Sequence, residues 1–121
     1  MTERIYPIYH KGKKIFFSDW TNLKTPEQTI KVMKETSDFV INLGQNNLLE
    51  LVDAKGTFGT PETLKALKEI NNKVKQYSKK KAFIGLSSIQ RVILNAINQF
   101  SGTNIVGFDN IESAKDWLVK E

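Results

Sequence analysis

The sequence predicts an α/β fold: a mixed, mainly parallel sheet of five strands packed by four helices, in the order ββαβαβαβα. Three observations predict it. Two runs rich in aromatic and β-branched residues, IYPIYH and KIFFSDW, flank a Lys-Gly-Lys turn and read as a β-hairpin. The apolar period then lengthens from two residues to that of a helix. From there short apolar runs alternate with capped helical segments, an order that requires parallel pairing through right-handed crossovers and leaves the hairpin as the antiparallel edge.

Each element has its own signal. Ile5 to His10 and Lys14 to Trp20 are the hairpin strands. Thr25-Pro26-Glu27-Gln28 joins a Thr N-cap, a Pro at the first helical position and a Gln at N3, a capping box that satisfies otherwise orphan backbone N–H groups. The helix it opens sets Ile30, Met33, Ser37, Val40 and Ile41 on one face and Glu27, Lys31, Lys34, Glu35, Asp38 and Asn42 on another, until Gly44 ends it. Leu48 to Asp53 is a short, mostly apolar strand. Within it Glu50 points to the face opposite Leu49 and Leu51, so at least one side of this strand is expected to be open or sparsely covered.

The loop after Asp53 leads to Thr60-Pro61-Glu62 and a second helix with Leu67, Ile70, Val74 and Tyr77 at core spacing. Ala82 to Leu86, after three lysines, is a buried strand. Ser87-Ser88-Ile89-Gln90 is another capping box, and Ile89, Val92, Ile93, Ala96, Ile97 and Phe100 trace an apolar stripe that ends at Gly102. Leu94 falls off that stripe, among Arg91, Asn95 and Asn98, and is expected to contact a partner. Asn104 to Phe108 is the last strand, and Asp109 or Asn110 caps a final helix carrying Ile111, Ala114, Trp117 and Leu118.

Composition bounds the function. At 121 residues the chain, 1–121, is expected to form one domain with one ordinary core. Hydrophobic residues at 40% and charged residues at 26% match a folded protein rather than a disordered one. There is no Cys, which excludes disulfides, thiolate metal sites and Cys nucleophiles. The first residues lack the apolar stretch of a signal peptide and no apolar run is long enough for a membrane span, so a cytoplasmic protein is expected. The formal charge of +5 favours polyanions only if the lysines gather on one surface.

The order of elements resembles the STAS domain, the SpoIIAA-like fold of anti-sigma-factor antagonists, over essentially the whole chain. The ending Phe108-Asp109-Asn110-Ile111-Glu112-Ser113-Ala114-Lys115-Asp116-Trp117-Leu118 looks like the F-D-x-x-E-x-A-x-x-W-L close of small bacterial SpoIIAA-like, STAS/SEC14-related proteins. This resemblance implies a SpoIIAA-like fold and a non-catalytic regulatory role. Members that act as phosphoswitches carry Asp-Ser-Ser-Gly or a close variant at the start of the second helix, where a kinase partner phosphorylates a Ser. Here that place reads Gly59-Thr60-Pro61-Glu62, so only Thr60 could be the phosphoacceptor, and Thr-Pro-Glu also makes it an ordinary N-cap.

In an open parallel sheet the strand C-termini and the following helix N-termini gather at one edge, where ligands are usually bound. That edge should hold Asp19, Asp53, Thr57, Thr60, Ser87, Ser88 and Asp109, and its helix N-termini suit a phosphate or carboxylate. Gly56-Thr57-Phe58-Gly59 is no Walker loop, since no Gly-Lys-Ser/Thr follows. Asp53 at a strand end invites comparison with a Mg²⁺-dependent phosphoacceptor, but the last strand ends without the lysine that receiver domains place there. The single histidine, His10, lies at the hairpin turn, on the edge opposite Ser87 and Thr60, and can complete neither a Ser-His pair nor a multi-His metal site. No enzyme, metal or cofactor is expected.

Lys11, Lys13, Lys14, Lys79, Lys80 and Lys81 all precede strands and would meet at that opposite edge if the second and fourth strands are parallel, a patch for an anionic membrane surface. No RNA-binding aromatic motif accompanies them, and nucleic acid is not expected. Tyr6, Tyr9, Phe16 and Trp20 could pair two subunits as a homodimer or line a lipid pocket. The expectation is therefore a regulatory protein-binding module that docks its partner, or a small anion, through Asp53, Thr57, Phe58, Gly59, Thr60, Ser87, Ser88 and Leu94. A carrier of a small apolar ligand or lipid, and a phosphoacceptor at Asp53, are the alternatives.

Overall fold

The computed structural model describes residues 3–57 and 59–121. Lys11 and Gly12 both hold positive φ, 51° and 79°, the two-residue turn whose twist matches that of paired strands. It closes β1 (Ile5–His10) onto β2 (Lys13–Asp19) as an antiparallel pair, with Lys13 already opposite His10. There follow α1 (Pro26–Leu43), β3 (Leu48–Asp53), α2 (Pro61–Val74) with a 3₁₀ turn at Lys75–Tyr77, β4 (Ser78–Ile84), α3 (Ser88–Ser101), β5 (Val106–Phe108) and α4 (Ile111–Val119). The sheet order is β1-β2-β3-β4-β5, parallel from β2 onward, as the alternation of elements requires.

Alternation along the strands divides the core into two layers. Ile15, Leu51, Ala82 and Ile84 meet Ala114, Leu118 and Val119 of α4 on one face. On the other, Val52, Phe83 and the adjoining Trp20 meet Val32 and Met33 of α1 and Leu94 of α3, with Leu67 and Ile70 of α2 packed against them. Val40, Leu48 and Val74 extend that layer. Trp20 stacks edge-on against Phe83 at 5.5 Å, and its indole N–H donates to Thr36 Oγ1 at 3.1 Å, so its one polar atom is satisfied inside the core.

Glu50 overturns the expectation of an open face. It is 2% exposed on the three-helix side, and the register of β3 with β4 sets it beside Lys81, itself 7% exposed, with 3.9 Å between Glu50 Oε1 and Lys81 Nζ. The face stays covered because the strand next door supplies a counter-charge. β4 begins at Ser78 rather than Ala82, its first half written in lysines. β5 pairs only with Ala82–Ile84, leaving Ser78–Lys81 without a strand on that side. At the opposite margin β1 carries Pro7, a residue tolerated on edge strands because it lacks a ladder donor.

One detail of capping differs from the sequence reading and another is decided. Thr25 Oγ1 accepts from Gln28 N at 3.1 Å, but the Gln28 side chain returns to Lys24 N at 2.8 Å, one residue before the cap. Of the two candidate caps for α4, Asp109 and Asn110, it is Asn110 that accepts from Ser113 N, at 2.8 Å.

Candidate functional site

Parallel β2, β3 and β4 deliver their C-terminal ends to one rim, with Asp19 in register beside Asp53 and Asp53 beside Ile84. The loops that leave them are laced together: Trp20 N donates to Asp53 O at 2.8 Å, Ala54 N to Ile84 O at 3.0 Å and Asn22 N to Lys55 O at 3.0 Å. Gly85 holds φ +81°, and a Cβ there would stand 2.7 Å from Lys55 N, so only glycine lets these two loops approach.

Thr57 fastens the loop on both sides. Its hydroxyl donates to Trp20 O at 2.5 Å and accepts from Leu23 N at 3.0 Å, while its carbonyl accepts from Gln90 Nε2 of α3 at 3.1 Å. Gln90 also completes the cap of α3, its Oε1 accepting from Ser87 N at 2.8 Å while Ser87 Oγ accepts from Gln90 N at 3.2 Å. Thr60 caps α2, accepting from Thr63 N at 3.2 Å, and Thr63 Oγ1 returns the bond by accepting from Thr60 N at 2.8 Å. The amino ends of α2 and α3 thus share the rim and are tied through the Thr57–Gln90 bond.

The rim acids hold turns. Asp53 Oδ1 accepts from Lys55 N at 3.0 Å, Asp19 Oδ1 from Thr21 N at 2.9 Å, and Asp109 pairs with Arg91 at 2.7 Å. Among the described residues no group of three His, Asp or Glu side chains could hold a metal ion. Ser88 is the exposed first residue of α3 and Gly59 lies exposed near Leu64. Phe58 lies outside the described residues. Beneath the rim is a cavity of ≈ 70 Å³ lined by apolar side chains that include Trp20, Met33, Leu64, Phe83 and Leu94.

Leu94 is the main correction. It is 4% exposed and belongs to the core, whereas Ile89, Val92 and Phe100 of the expected core stripe are 74%, 68% and 64% exposed. The cause lies in two polar residues. Asn98 is drawn to the segment before β5, its Nδ2 donating to Ile105 O at 2.8 Å and its Oδ1 accepting from Ile105 N at 2.9 Å. Arg91 reaches across Gly107 to Asp109. Both turn α3 so that Leu94, Ile97 and Ser101 face inward, while Ile89, Val92, Ala96 and Phe100 of the stripe face outward. Beside that stripe a groove of ≈ 350 Å³ runs between α3 and α2, lined by Leu64, Lys65, Lys68, Ile93, Ala96 and Phe100 among others. Lys68 Nζ lies 4.5 Å from the centroid of the Phe100 ring.

At the opposite rim Lys13, Lys14 and Lys79 do line one cleft, together with Lys120. Several of these lysines have local work. Lys13 Nζ donates to Val119 O at 3.1 Å, and Lys80 Nζ to Trp117 O at 2.7 Å and Lys120 O at 2.6 Å, holding the carbonyls at the negative end of α4. Lys81 is in the core rather than on this patch.

His10 also sits here, its Nε2 2.7 Å from Asp116 Oδ1, with Lys11 Nζ at 3.1 Å from the same oxygen. The His10 hydrogen bond first and the Lys11 bond second hold the Asp116 carboxyl below its ordinary value of 3.8. A depressed folded-state value stabilises the fold above the unfolded value, and the gain disappears as pH falls through the folded one. Asp116→Asn should therefore lower the melting temperature slightly at pH above 3.8 and converge with the parent in more acidic buffer, as a pH series of thermal melts would show.

The layers, with one helix on one face and three on the other, define an α/β domain built on a mixed sheet. No family model matches the sequence, and no curated protein matches it. The arrangement is similar to the crystal structure of an uncharacterized protein from the DUF3478 family with a SpoIIAA-like fold, from Shewanella loihica PV-4. The two superpose with a TM-score of 0.67 over 94% of this chain and 91% of that one, at 17% identity. The chain has the SpoIIAA-like fold. Among the described residues no helix is long and apolar enough to cross a membrane.

Proposed function

We propose that the protein is a non-catalytic protein-binding module whose docking face is the outer side of α3 with the adjoining edge of α2. The observation that supports this is the exposure of Ile89, Val92 and Phe100 along one side of a single helix, where a chain acting alone would carry polar residues. The groove beside them has Lys65 and Lys68 at its margin and no carboxylate in its lining. Its occupant is an amphipathic helical segment of a partner protein, with Asp or Glu flanking the apolar side chains. The laced rim holds the amino ends of α2 and α3 together and so fixes the width of the groove at that end. Relative to the sequence reading, the contact residues move from Leu94 to Val92 and Phe100.

Selection from a displayed library of helical peptides tests this. Enriched peptides should carry acidic residues beside an i, i+3, i+7 apolar pattern. They should lose roughly thirtyfold or more in affinity against Val92→Asp/Phe100→Asp, the hot-spot range of at least about 2 kcal/mol. The variant should stay folded, because both positions are exposed. Binders indifferent to these substitutions, or a homodimer in sedimentation that dissociates on making them, would overturn the reading.

A second reading, a carrier of a small apolar ligand, has only the cavity beneath the rim behind it, and at ≈ 70 Å³ that cavity falls well below the roughly 300 Å³ at which ligand pockets begin. Native mass spectrometry showing a co-purified apolar molecule would support it.

A further inference from the structure

A second cleft, of ≈ 420 Å³, opens where β5 stops short of β4, between Ser78–Lys81 and the loop at 102–105. Asn71, Lys75, Lys79, Lys80 and Thr103 line it, together with the buried Glu50. Glu50 Oε2 is buried and has no hydrogen-bond partner among the described residues. The nearby Lys81 does not relieve it: at 3.9 Å from Oε1 its ammonium is beyond hydrogen-bond reach. That ammonium lies 6.0 Å and 5.9 Å from the ring centroids of Trp20 and Phe83. A buried carboxylate oxygen without a donor is unfavourable, so a donor reaching it from the cleft would be held there.

Charge selects the donor. Lys81 already balances Glu50, and a second cation beside it would be repelled, whereas a neutral hydroxyl donates without adding charge. Nearer solvent, Lys75, Lys79 and Lys80 bring three ammoniums, and apart from Glu50 the lining holds no carboxylate. Lys75 Nζ is anchored on Ser101 O at 2.8 Å, and Lys80 Nζ on two carbonyls of the α4 end. These anchors position the cations while leaving their charge unneutralised, an arrangement suited to an anion.

We infer that this cleft binds a small hydroxylated anion, such as a polyol phosphate or a hydroxycarboxylate, with a hydroxyl donating to Glu50 Oε2 and the anionic group on the lysines. Lys80 Nζ lies 4.9 Å from the Trp117 ring centroid, so occupancy should alter Trp117 fluorescence.

The test titrates the full chain with glycerol 3-phosphate, propyl phosphate and inorganic phosphate, following fluorescence and the amide resonances of Asn71 and Thr103. Glycerol 3-phosphate should bind saturably and at least about tenfold more tightly than propyl phosphate, which lacks the hydroxyls, since hydrogen bonds to a charged acceptor are among the strong ones. The variant Glu50→Leu/Lys81→Met, which keeps the core neutral, should erase that preference and leave inorganic phosphate binding changed by less than about twofold. Equal affinity for glycerol 3-phosphate and propyl phosphate on the parent protein, or no saturable binding of glycerol 3-phosphate, would overturn the proposal without requiring any variant to fold.

Discussion

Lys81→Met is expected to destabilise the protein by about 3–5 kcal/mol in urea denaturation, because it leaves Glu50 charged in the core without its counter-ion. Glu50 is 2% exposed and already has one oxygen without a donor, so no neighbouring group stands ready to replace the ammonium. The double variant Glu50→Leu/Lys81→Met should regain most of that loss, or exceed the parent by about 1–4 kcal/mol, since removing both charges also removes both desolvation penalties. Non-additivity of this size is the signature of direct coupling across the β3–β4 register. A cost below about 1 kcal/mol for Lys81→Met would mean that water reaches Glu50 freely, at odds with its burial.

Leu94→Ala should cost about 2–5 kcal/mol, the range for emptying a packed leucine site. The side chain is in the cluster of Trp20, Val52 and Phe83, beside the small cavity beneath the rim, and its loss would enlarge that void. Val92→Ala, two residues earlier but outward-facing, should change stability by less than about 0.5 kcal/mol. Paired urea transitions with unchanged slope would read both effects. The reverse ranking would show that α3 packs by its apolar stripe after all.

The contrast between these two residues shows where the sequence was legible. Local signals carried well: the Thr60 and Ser87 caps, the glycine after α1 and the alternation of strand and helix are set by residues a few positions apart, and they suffice to place the amino ends of α2 and α3 on one rim. The orientation of α3 was not legible, because it depends on Asn98 and Arg91 finding partners in the β5 region, and a helical wheel treats both as solvent-facing. Glu50 is anomalous in an apolar strand, but its explanation lies across the sheet in Lys81, within a lysine run that reads as surface. Likewise Thr57 could be placed on the rim, yet nothing local announced its bonds to Trp20 and Leu23.

The two margins of the sheet bear on how copies of this chain meet. Pro7 interrupts the donor row of β1, and lysines crowd the unpaired half of β4. A strand arriving from another molecule finds a broken ladder along β1 and like charge along the unpaired half of β4, so continuous pairing is opposed on both of these stretches. Contacts between copies are thereby steered away from these two stretches and toward the apolar outer side of α3.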